Sequence, residues 1–170
     1  MATNLQFIKS ASGTSVSSLS VTDCFSANYD VYFVQVAKSL NSAEVNLDIR
    51  FIDSGGSIIA DSEYDYATLQ LNSNTTFGER RNTGQTKISR LVSYGGDEQK
   101  TGGTGYTYVY NPYDSSSYTF TQGASQSIEG VTFLGDKQIG VHKSAEQITG
   151  IALIPTSGTT TLIINVYGVK

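Results

Sequence analysis

The chain has 170 residues, enough for one domain with a sizeable core, and only 15% of them are charged. A net charge of −4 argues against a nucleic-acid partner, and no stretch is long and apolar enough to cross a bilayer as a helix. The composition instead holds 22 Ser, 19 Thr and 17 Gly, with 11 Tyr and no Trp. This favours pleated strands and tight turns over long helices, with Ser and Thr expected to build most of the polar surface.

Taken in order, Met1 to Ser20 lacks the basic start and apolar run of a signal peptide, so synthesis in a cytoplasm is expected. Ser15–Thr22 alternates apolar residues with Ser and reads as a first strand. Tyr29–Lys38 is apolar on both faces, Tyr29/Val31/Phe33 and Tyr32/Val34/Val36, as in a central strand covered on both sides. The clearest element is Val45–Asp53, where Val45, Leu47, Ile49 and Phe51 define one apolar face. Ser54-Gly55-Gly56 then turns the chain into a return strand from Ser57 to Ala60. Further strands are expected at Tyr64–Leu71, Thr86–Tyr94, Gly105–Tyr110, Ser117–Thr121, Val131–Leu134 and Gln138–His142. Ser144–Gln147 has room for one helical turn. Ile148–Ile154 and Thr161–Val169 close the chain, with Pro155-Thr156-Ser157-Gly158 as a hairpin turn between them. Nine to eleven short strands, no internal repeat and no linker predict a single all-β domain over 1–170. Its expected form is a two-sheet antiparallel sandwich, jelly-roll-like.

Two stretches are too long and polar for simple connectors, Asn72–Gln85 and Gly95–Gly105. The first carries Arg80 and Arg81, which with Lys87 and Arg90 form a basic cluster suited to contact with acidic surface on a neighbouring subunit. Tyr106, Tyr108 and Tyr110 share one strand face, a row able to stack on sugar rings or to pack against protein.

Catalytic chemistry finds little support. His142 and Cys24 are each single, there is no nucleophile elbow, and neither stands in a motif. The lone cysteine also leaves the fold without an internal disulfide. No zinc site, cofactor or enzymatic activity is expected, since one His and one Cys leave two zinc ligands to find. Asp61, Glu63 and Asp65 alternate as a calcium loop's acids do, but Tyr66 stands where such a loop needs Gly. Their expected place is the solvent face of a strand. Asn74-Thr75-Thr76 is a glycosylation sequon, of no weight without a secretory signal.

Three segments carry a resemblance. They are LQFIKSASGTSVSSLSVTDCFSANYDVYFVQV from Leu5, GTGYTYVYNP from Gly103 and ITGIALIPTSGTTTLIINVYGVK from Ile148. In this order they resemble a family of small all-β proteins of tailed phages, especially marine and cyanobacterial ones, regarded as virion or tail-fibre-associated. The resemblance spans about the whole chain. It implies a sandwich on a virion surface and a homo-oligomer, with a trimer favoured, bound to other virion proteins. It transfers no catalytic residue. The chain is expected to be a separate subunit: first a capsid decoration or cement protein, second a tail-fibre or baseplate accessory. The alternative is a glycan-binding adhesin module that meets a host-surface glycan through Tyr106, Tyr108 and Tyr110. Neither reading calls for nucleic acid or a membrane.

Overall fold

The computed structural model describes residues 4–95 and 102–170, so most of the polar stretch Gly95–Gly105 lies outside the described residues. Twelve strands form two antiparallel sheets packed as a sandwich, and among the described residues there is no helix. They are β1 (Leu5–Val16), β2 (Leu19–Val21), β3 (Val31–Asn41), β4 (Val45–Asp53), β5 (Tyr64–Asn72) and β6 (Gly78–Gln85). The second half supplies β7 (Ile88–Gly95), β8 (Gly103–Tyr110), β9 (Thr119–Glu129), β10 (Thr132–His142), β11 (Ile148–Pro155) and β12 (Thr160–Val169). The large sheet runs β1-β12-β3-β8-β9-β10-β5-β6, and the small one β2-β11-β4-β7.

Alternation decides the apolar part of the core. Leu47, Ile49 and Phe51 of β4 are fully buried, with Val45 half-buried at the strand's start. Ile151 and Leu153 of β11 join them from the small sheet. From the large sheet come Tyr32, Val34 and Val36 of β3 and Leu162, Ile164 and Val166 of β12. Tyr64 closes this core with its hydroxyl, which accepts from the Phe51 N–H at 3.1 Å and donates to the Ile59 carbonyl at 3.2 Å.

β3 is central in its sheet but covered on one face only, because no layer lies over Val31 and Phe33, which stay half-exposed. The other half of the sandwich, where β7 packs on β8, β9 and β10, has a polar interior. Ser93, Thr107, Thr121, Ser127, Asp136 and Gln138 are all buried there. Nine Ser and Thr residues are buried among the described residues, while the others stay at least partly exposed.

Several connections differ from the sequence expectation. The chain's first long strand is β1, which begins at Leu5, and Ser15–Thr22 is split between its end and the three-residue β2. Ser57–Ala60 forms no strand; a single bridge, Ile52 to Ile58, is all that returns. Ser144–Gln147 makes no helical turn. Pro155–Gly158 is not a hairpin, because β11 and β12 lie in different sheets. It is one of two adjacent corners that cross between the layers. The other joins β3 to β4, and the Ser42 N–H donates to the Thr159 carbonyl at 2.8 Å while Ser42 Oγ accepts from the Thr159 N–H at 3.0 Å. The segment Asn72–Gln85 is no loop either. Its second half is β6, an edge strand paired antiparallel with β5, with Leu69 opposite Glu79 and Ala67 opposite Arg81.

Candidate binding groove

The outer face of the large sheet is open. On β8 the period of two buries Thr107 and Val109 and turns Tyr106, Tyr108 and Tyr110 outward. Ring centroids are 6.1 Å apart for Tyr106 and Tyr108, and 6.3 Å for Tyr108 and Tyr110. The pairing of β3 with β8 sets Phe33 opposite Tyr108, and its ring lies 5.2 Å from Tyr108 and 5.5 Å from Tyr106. Tyr167 and Phe7 continue the aromatic band onto β12 and β1. Tyr106 is 40% exposed and Phe7 53%, a large apolar surface left unpacked.

Beyond β8 the floor drops. Ala124 on β9 and Ala67 on β5 are small, so neighbouring long side chains stand above them as walls. Two adjoining depressions of about 710 and 830 Å³ share Ala67, Arg81, Tyr110, Gln122 and Ile139. The tyrosines form one wall. Glu79 and Arg81 on β6, opposite Leu69 and Ala67, form the other, and Lys137 projects from β10 between the walls, whereas Arg80, opposite the buried Thr68, points to the other face of the sheet. From β8 to β6 is four strand steps, about 19 Å. The tyrosine row and Arg81, which the sequence offers separately, thus line a single groove. Their meeting depends on the β5–β6 hairpin, which a local reading of a polar segment could not reveal.

Lys87 and Arg90, alike in sequence to Arg80 and Arg81, are placed differently. Asp48 is buried and draws them inward: Lys87 Nζ lies 2.5 Å from its Oδ2, and Oδ1 accepts from Ser89 Oγ at 2.7 Å and the Arg90 N–H at 3.1 Å. Arg90 is only 8% exposed, in a left-handed conformation with φ 69°, and its Nη1 donates to Ser93 Oγ at 3.3 Å. It offers no contact surface, so the expected four-residue basic patch reduces on the outside to Arg80, Arg81 and the partly exposed Lys87.

The remaining candidates fall elsewhere. Asp61, Glu63 and Asp65 do not converge on a cation. Asp65 Oδ1 accepts from the Gly84 N–H at 2.8 Å and pairs with Lys143 at 3.0 Å, which holds its carboxyl below the usual range. Glu63 turns to His142 at 3.3 Å. Cys24 is buried, its Sγ donates to the Val21 carbonyl at 3.2 Å, and burial pushes the thiol pKa up to about 12. It forms no thiol–imidazole pair with His142, whose ring lies tilted against Tyr64 with centroids 4.7 Å apart. Burial lowers the His142 pKa against the opposing pull of Glu146 and Glu63.

These features define a β-sandwich of unequal sheets with an open, aromatic and basic groove on the larger one. No protein-family model matches the chain, and no curated protein matches it in sequence. Among solved structures it is similar to lactose- and MES-liganded congerin II, with 13% identity over 89% of this chain and 92% of that one, at a TM-score of 0.27. It is also similar to β-agarase B from Zobellia galactanivorans, with 8% identity over 88% of this chain and 68% of that one, at a TM-score of 0.26. The C2A domain of plant extended synaptotagmin 1 has 8% identity over 84% and 96% of the two chains, at a TM-score of 0.21. Scores this low carry no argument about function.

Proposed function

We propose that this chain is a carbohydrate-binding module without catalysis of its own, which holds an extended acidic oligosaccharide in the groove. The observation that carries this reading is the convergence of Tyr106, Tyr108 and Tyr110 with Arg81 and Lys137 on one groove. Tyr rings offer apolar faces to the C–H faces of sugar rings and a hydroxyl to their oxygens. Guanidinium forks suit carboxylate or sulfate substituents. The span between the walls fits a chain of sugars better than a single ring.

The test is a panel of immobilised neutral, uronate-bearing and sulfated oligosaccharides. Binding to acidic members that weakens with added salt is expected, because exposed charges are screened. Tyr108→Ala and Arg81→Ala should each lower affinity about tenfold, the loss of one good contact. Absence of binding across the panel at millimolar concentration, or full affinity in both variants, overturns the reading.

The sequence resemblance supplies the setting we propose for this module: an exposed accessory subunit of a tailed-phage virion, on the capsid or at a fibre or baseplate. Edge strand β1, with Leu5 and Phe7 exposed, supports association of copies along that edge. Light scattering should then give three times the chain mass of 18.2 kDa, and a monomer at high concentration would refute the trimer.

A further inference from the structure

Away from the groove, two segments distant in sequence meet. Glu63 lies just before β5, His142 ends β10, and Glu146 sits in the connection to β11. Their ligand atoms all lie within 4.8 Å of one another. His142 Nε2 is 3.3 Å from Glu63 Oε2 and 3.7 Å from Glu146 Oε1. The imidazole is 0% exposed, and neither ring nitrogen makes a hydrogen bond of acceptable geometry. No lysine or arginine among the described residues pairs with either glutamate; Lys143, next in the chain, reaches Asp65 instead. Two carboxylates therefore face a buried, unpartnered nitrogen.

We propose that Glu63, His142 and Glu146 bind one divalent transition ion of the zinc type, through Nε2 and one oxygen from each carboxylate, with water as fourth ligand. The spacing supports this. A hydrogen-bonded pair would close to about 2.7–3.2 Å. A tetrahedral ion with ligands at about 2.0–2.2 Å holds them about 3.3–3.6 Å apart. The first observed distance lies in that range, and a small rotation of the partly exposed Glu146 brings in the second. A nitrogen donor and only three protein ligands disfavour calcium, which takes six to eight oxygens. Cys24 takes no part; the carboxylates come from Glu146, four positions after His142, and from Glu63, which the fold brings in. Bound metal would tie the end of β10 in the large sheet to the lead-in of β11 in the small one.

The experiment uses tag-free, chelator-treated protein titrated with zinc chloride and, separately, calcium chloride, followed by calorimetry and thermal melting. One zinc per chain is expected, with a Tm that rises as the site fills and no comparable rise with calcium. Because His142 is buried and its replacement endangers the fold, Glu63→Gln and Glu146→Gln carry the test. Each should keep the metal-free circular dichroism spectrum and weaken zinc about tenfold or more. Absence of saturable zinc binding, unchanged zinc affinity in both variants, or tighter binding of calcium than zinc overturns the proposal.

Discussion

Replacing Asp136 with Asn should stabilise the protein near neutral pH. Asp136 is 2% exposed on the inward face of β10, and its Oδ1 has no hydrogen-bond partner. Burial pushes its carboxyl pKa up, against the opposing effects of Ser93, Arg90 and Arg80, so desolvation of the anion outweighs the attraction of both arginines. A folded-state pKa raised above the unfolded one means the native state favours the protonated acid. Wild-type stability should rise as pH falls through the folded pKa and level off below the unfolded value of about 3.9. Asn imitates the protonated acid at every pH. The gain should be about 1–3 kcal/mol at pH 7–8, the cost of one unsatisfied buried polar group, and shrink towards zero near pH 4. Urea denaturation of both proteins across pH 4–8 measures it. An Asn variant less stable than wild type at pH 7 would mean that the Asp136–Arg90 attraction wins, and the desolvation argument would fail.

Leu47→Ala should cost about 2–5 kcal/mol in the same assay, since Leu47 is fully buried between the sheets; a loss below 1 kcal/mol would place it outside the core. Gly123→Ala should destabilise by about 1–3 kcal/mol, because a Cβ there would sit on the Tyr106 carbonyl oxygen, and wild-type stability in this variant would contradict the packing of β8 on β9. Cys24, with its thiol pKa near 12, should react with a disulfide reagent at pH 8 only once denaturant is added; prompt labelling of the native protein would show it to be accessible.

How far the sequence could be read depended on how each strand is covered. β4 was legible because one face meets the apolar core and the other does not, and β11 and β12 for similar reasons. β6 carries no apolar residue in GERRNTGQ, because an edge strand with solvent around it has nothing to bury. The full length of β9 and β10 was hidden by a different cause: their inward residues, Thr121, Ser127, Asp136 and Gln138, meet a polar interior. Period-two spacing was enough to place Tyr106, Tyr108 and Tyr110 on one face. Nothing local could separate Arg80 and Arg81 from Lys87 and Arg90, since the distinction rests on Asp48, some forty positions earlier. Glu63 and His142 likewise share a site only through the β5–β10 register, which opposes Tyr64 to His142.

The groove wall formed by Glu79 and Arg81 stands on the outermost strand of the larger sheet. Six of the eight β6 residues are exposed, and β5 alone holds the strand by backbone pairing. The tyrosine wall rises from β8, between two paired neighbours and above the packed interior. The groove is therefore a vice with one fixed jaw and one sprung jaw. Amide exchange should be fast along β6 and slow along β8, with the difference narrowing when a ligand spans the two. A jaw of this kind tolerates chains of differing thickness, and the ordering of β6 on binding would subtract from affinity in return for that breadth.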